Sequence, residues 1–185
     1  MPRIADAGLE KRILDAGYHL WSEGGEKALT MRGVALAAGT TTPTVYERFR
    51  DKRELINFLR DRARLKMISA IKSARTPAEA CERALDFSLK CGNEYKLITI
   101  DWAARLGRKE PLPSFAFMKE RLAADLGGQP EEYIGLALSL VSQIHGAATL
   151  VLGKETPAQI AKEIRCVCLD ACRTLIDCAR NGKAR

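Results

Sequence analysis

The chain has 185 residues, 46% of them hydrophobic and 29% charged, which suits one or two globular domains with a buried core. The longest apolar candidate, residues 134–153, is interrupted by Gln143, His145 and several Gly and Ser, so no membrane span is expected. The N-terminus lacks the apolar core of a signal peptide, so a cytoplasmic address is expected.

The net charge of +7 is unevenly placed. Residues 1–75 hold 15 Lys or Arg against 9 Asp or Glu; residues 76–185 hold 15 against 14. A basic segment joined to a near-neutral one points to a polyanion partner for the first part and a different partner for the rest.

Strand signals are scarce, and apolar residues recur three and four apart, which is a helical period. A first helix is predicted from Leu9 to Glu23. Ile13, Ala16, Gly17, Leu20 and Trp21 form its apolar face, and Gly24-Gly25 is its terminator. A short helix follows from Met31 to Ala38, capped by Thr30 and ended by Gly39. Residues 40–49 hold another, with Pro43 in its first turn. Asp51 caps a helix from Lys52 to about Ser73, and Thr76-Pro77 opens one that runs to about Lys90. Helices are also predicted over about Asn93–Leu106, Ser114–Asp125, Pro130–Leu152 and Pro157–Ala179. The chain is thus all-α, with about nine helices.

The second and third helices form a helix-turn-helix pattern. A short helix ends in Ala-Ala-Gly, and a second short helix with polar exposed positions follows within a few residues. The stretch LTMRGVALAAGTTTPTVYERFRDKRELI, residues 29–56, resembles the TetR family of bacterial regulators. Thr30, Ala35, Gly39, Pro43, Thr44, Val45, Tyr46, Phe49, Lys52, Glu54 and Leu55 carry the resemblance. It departs from the family pattern at Thr40, where an apolar residue is usual, and at Arg48, where His or Tyr is common.

Double-stranded operator DNA is the expected partner. Thr41, Thr42 and Thr44 are short donors and acceptors that can reach base edges, and their methyls and the Pro43 ring can meet a thymine methyl. Tyr46 and Lys52 are expected on phosphates, with Thr30 in the same role and Arg32 on a base or phosphate. Phe49 reads as core.

The resemblance implies three parts: residues 1–52 as the DNA-binding domain, 53–76 as a connecting helix, and 77–185 as a helical ligand-binding and dimerisation domain. It implies a repressor bound to a palindromic operator as a homodimer and released by a small molecule. The dimer would form through the last two helices, about 134–152 and 157–179. Their apolar stripes are Leu136, Leu140, Ile144, Ala148 and Val151, and Ile160, Ile164, Val167, Cys168, Ala171, Leu175 and Cys178. Ligand-pocket candidates are Phe87, Tyr95, Trp102, Phe115 and Met118, with Phe117 beside them. Residues 142–146 resemble a His-Gly element of this helix in one group of the family, and His145 reads as structural.

No metal site or cofactor is expected, because His19 and His145 are far apart in sequence and one straight helix cannot set four thiolates tetrahedrally. The cysteines at 166, 168, 172 and 178 make a redox-sensing regulator the alternative. A helical-bundle enzyme is disfavoured, because the chain shows no nucleophile–base pair, paired carboxylates or phosphate loop.

Overall fold

The computed structural model describes residues 8–153 and 155–183. The first seven residues of the stretch weighed as a signal peptide lie outside them. Among the described residues the chain is all-α. Its helices are α1 Leu9–Ala28, α2 Met31–Ala37, α3 Thr42–Arg48, α4 Lys52–Ile71, α5 Pro77–Lys90, α6 Gly92–Thr99, α7 Trp102–Gly107, α8 Pro113–Leu126, α9 Ile134–Val151 and α10 Ala158–Lys183, with a 3-10 turn at Pro130–Tyr133. They group into two compact units. One comprises Met1–Ala63 and Asn93–Ile100, the other Arg64–Gly92 and Asp101–Arg185.

In the first unit, Ile13 of α1, Leu29, Val34 of α2, Val45 of α3, Phe49, and Leu55 and Leu59 of α4 are almost wholly buried together as its core. Asp51 caps α4 as expected: the Glu54 N–H donates to Asp51 Oδ1 (2.8 Å), and the Glu54 carboxylate accepts the Arg50 N–H (2.7 Å). The Gly24-Gly25 pair does not end α1. Helical bonding continues to Ala28, and Gly25 makes a break inside the helix at φ 64°, ψ −151°, a conformation that favours glycine. A Cβ there would also stand 3.3 Å from Asn93 Oδ1.

Asn93 ties the later segment to α1. The Trp21 indole N–H donates to the Asn93 carbonyl (2.7 Å), and the Asn93 amide donates to the Ser22 carbonyl (2.9 Å). Residues 93–100 therefore belong to the first unit. The helix expected over Asn93–Leu106 is two helices, because Asp101 takes the left-handed conformation (φ 58°) between α6 and α7. A second left-handed residue, Lys109 (φ 57°), closes α7. There the Lys109 N–H bonds to Leu106 O and the Glu110 N–H to Arg105 O, both at 3.0 Å.

In the second unit α5, α8, α9 and α10 pack on one another. Ala80, Cys81, Leu85, Leu122, Leu140, Ala148 and Cys172 are buried among them. Arg165 of α10 reaches back to α5, donating to Glu82 (2.9 Å) and Asp86 (3.0 Å).

The stretch Pro130–Val151 is long and apolar enough to cross a membrane by length and composition, contrary to the sequence expectation. Here one face of its α9 packs against α5, α8 and α10. The α9 stripe expected at a dimer interface lies on this inner face: Leu140, Ile144 and Ala148 are buried in their own chain. The physical reason is that α9 carries apolar residues on both sides, with Ile134 and Leu150 outside and Leu140, Ile144 and Ala148 inside, so its period marks a helix without choosing a face.

Candidate nucleic-acid interface

The turn between α2 and α3 is built by hydrogen bonds that end one helix and start the next. The Gly39 N–H bonds to Leu36 O (3.2 Å) and the Thr40 N–H to Ala35 O (2.9 Å), with Gly39 left-handed at φ 65°. That pair of bonds is the glycine-closed helix end in which a residue with a Cβ is penalised. Thr30 caps α2 by accepting the Gly33 N–H (3.0 Å). Thr41 caps α3 by accepting the Thr44 N–H (3.4 Å), and its hydroxyl pairs with that of Thr44 at 2.8 Å.

Behind α3, Val45 and Phe49 are buried, and Phe49 meets the Phe58 ring edge-on with centroids 5.5 Å apart. Phe49 is core, as its sequence context predicts. In front of α3, Pro43 is exposed, Thr42 and Thr44 are half-buried, and Tyr46 is 50% exposed. A helix of seven residues is marginal alone, so this presentation rests on the buried pair behind it and on the Thr41 cap. The mutual Thr41–Thr44 hydrogen bond occupies part of both hydroxyls. Thr42, Pro43 and Tyr46 are thus the least committed groups on the outer side.

Around this helix the cations are exposed. Arg32 projects from α2 and Arg48 from the end of α3. Arg50 and Arg53, which the sequence reading left unassigned, are exposed in the same α3–α4 corner. Their signal was present in the N-terminal charge excess but not in the family motif. Lys52 is half-buried, and its ammonium donates one hydrogen bond to Glu26 O (3.2 Å) near the end of α1. An ammonium has three donors, so two remain for phosphate oxygens.

The expected ligand residues are distributed over the two units. Phe87, Phe115 and Met118 are buried and Trp102 half-buried in the second, where Trp102 and Phe115 stack edge-to-face at 5.7 Å. Tyr95 is buried in the first, in the segment around Asn93. An open groove of about 500 Å³ lies in the first unit between α1 and α4, lined by Glu10, Lys11, Leu14, Asp15, Phe58, Leu59 and Arg62. None of the five expected ligand residues lines it.

The outer side of the last two helices is partly apolar. Ile134, Leu150, Ile160 and Val167 are exposed, at 44%, 61%, 44% and 69%. On α9 these flank Gly135 and Gly146, beside which a Cβ would meet open space. On α10 the expected stripe divides. Cys168 turns inward, while Ile160 and Val167 face out.

Residues 13–58 match the family model described as bacterial regulatory proteins, tetR family. No curated protein is significantly similar to the chain. Among solved structures, a TetR-like transcriptional regulator from Rhodococcus sp. RHA1 is 19% identical with a TM-score of 0.57, covering 98% of this chain and 99% of that one. A protein of unknown function from Rhodococcus sp. RHA1 is 18% identical with a TM-score of 0.64, covering 96% and 98%. At these identities the two structures speak for the fold.

Proposed function

We propose that the chain is a DNA-binding transcriptional regulator of the TetR family, the family whose model matches residues 13–58, and that it acts as a cytoplasmic repressor, bound to a palindromic operator as a homodimer and released by a small molecule. The observation that carries the DNA reading is α3. Its inner side is anchored by Val45 and Phe49, and its outer side offers Thr42, Pro43 and Tyr46 amid exposed arginines. Thr42, Pro43 and Thr44 read base edges, with Thr41 holding Thr44 in place. Thr30, Tyr46 and Lys52 hold phosphates, and Arg32 takes a phosphate or base beside them.

DNA reading is assigned to the first unit, which takes in Asn93–Ile100 from within the stretch 77–185 expected to be the ligand domain, and ligand and dimer functions to the second unit. The exposed apolar residues of α9 and α10 support the homodimer, because a face with Ile134, Leu150, Ile160 and Val167 in water is the kind a second copy covers. The glycines at 135 and 146 let a partner helix approach closely.

Release requires a ligand that binds the DNA-incompetent arrangement better than the competent one. Phe87, Trp102, Phe115 and Met118, all in the second unit, are the pocket proposed for it. The connecting helix α4 starts at the phosphate contact Lys52 and continues past Ala63 into the second unit's residues. A change in its tilt would alter the spacing of two recognition helices, which must match the groove repeat.

The test joins light scattering with footprinting on a duplex selected from random sequence. A dimer protecting two half-sites about one helical turn, or a multiple, apart is expected. Val167→Asp should yield a folded monomer with much weaker operator binding. A wild-type monomer that protects a single half-site overturns the reading.

A further inference from the structure

Helix α3 contains a single carboxylate, Glu47, left without a role by the sequence reading. Helix phase places it. Successive residues turn by about 100°, so Glu47 stands about 160° from Val45 in one direction and about 160° from Phe49 in the other. Val45 and Phe49 are buried behind α3, so Glu47 occupies the middle of the side that faces away, and it is exposed. Pro43, four residues earlier and also exposed, lies on the same line. Helical side chains lean toward the N-terminus, so the Glu47 carboxylate leans toward Pro43 and the groups expected on base edges. The neighbouring Arg50 pairs with Asp51 instead (3.8 Å), and no other described residue engages the Glu47 carboxylate.

An acid at this place is costly beside DNA. The duplex carries a dense row of negative phosphates, and the rest of the corner is cationic, with Arg32, Arg48, Arg50 and Arg53 exposed. A carboxylate has acceptors only. Phosphate oxygens, guanine N7 and O6, and thymine O4 are acceptors as well and repel it. Two groups in the major groove donate, cytosine N4 and adenine N6. Adenine N6 sits between two acceptors, its own N7 and the O4 of the paired thymine. Cytosine N4 has an acceptor on one side only, the O6 of the paired guanine. Cytosine is therefore the base that suits a lone carboxylate best.

Resting on the DNA reading above, we propose that Glu47 is a specificity-determining residue that accepts a hydrogen bond from cytosine N4 at one base pair of each half-site. With cytosine present, the donor offsets the repulsion from the phosphates. With any other base, the carboxylate loses water among acceptors and gains little in return. The surrounding arginines attract every sequence alike, and Glu47 subtracts from that attraction wherever the cytosine is missing.

The experiment uses the full chain and duplexes enriched from random sequence by the wild type. Glu47→Ala and Glu47→Gln each put a good helix former at an exposed site, and an unchanged thermal melt checks that both fold. Wild type should require one cytosine per half-site, with each replacement lowering affinity roughly 5- to 150-fold. In Glu47→Ala that requirement should disappear while preferences at the other positions stay. Binding to unrelated DNA should strengthen, because a charge that repels phosphates is gone. Glu47→Gln should turn the same position toward adenine, whose N6 and N7 match an amide. A wild type that enriches no duplex overturns the DNA reading and this assignment together. A wild type that enriches one overturns this assignment alone if Glu47→Ala keeps every base preference, or if the position it relaxes is not a cytosine.

Discussion

Lys52→Ala separates the electrostatic part of operator binding from its sequence-reading part. The side chain makes one hydrogen bond within the protein, to the Glu26 carbonyl near the surface, so folding should lose less than about 1 kcal/mol. In the proposed role its two remaining donors meet a phosphate on DNA. Each phosphate neutralised contributes about 0.9 to the slope of log affinity against log salt, and a homodimer carries two copies of Lys52, so the slope should flatten by about 1.8. Between 50 and 200 mM salt, wild type should therefore lose roughly 12-fold more affinity than the variant. Fluorescence anisotropy with the selected operator and with two single-base variants, at four salt concentrations, reads both quantities. The ranking of the three duplexes should stay the same. An unchanged slope with an altered ranking would refute the assignment of Lys52 to a phosphate.

Thr42→Ala should do the reverse, changing preference at one base pair per half-site by about 1–3 kcal/mol with the salt slope intact, as binding to a panel of single-base variants will show. Asn93→Ala removes the donor to the partly buried Ser22 carbonyl and should cost about 1–3 kcal/mol of stability in urea denaturation. Lys109→Gly relieves a left-handed residue and should raise stability by about 0.5–1 kcal/mol in the same assay, once glycine's added unfolded-state entropy is offset.

The parts of the structure governed by local chemistry were legible in the sequence. Thr30, Asp51 and Thr76 cap the helices they precede, and Gly39 closes the turn. Phe49 is core because its spacing places it behind α3. What escaped was decided by tertiary contact. Asp101 and Lys109 take a backbone conformation usually announced by glycine, so the break between α6 and α7 carried no local mark. Gly24-Gly25 reads as a stop in any helix, yet the chain continues because Asn93 closes on the break. The α9 stripe could not be oriented, because apolar residues lie on both the inner and the outer side of that helix. In the candidate interface Pro43 and Tyr46 are exposed and Thr42 is half-buried, while the bond that occupies part of the Thr41 and Thr44 hydroxyls appears only in three dimensions.

The docking of Asn93–Ile100 onto α1 means that the unit bearing the recognition helix is not a contiguous stretch of chain. A ribosome that has released residue 63 has not yet delivered everything that unit requires. The Trp21 indole and the Ser22 carbonyl wait for Asn93, and therefore for all of α5, before they are satisfied. The nascent reading head must persist with an open flank while about thirty more residues emerge, at roughly 5–20 residues per second. The same discontinuity limits its use as a transferable part. A fragment cut after α4 would leave those two polar groups facing water or a foreign surface, whereas a graft that carries residues 93–100 along would keep them paired.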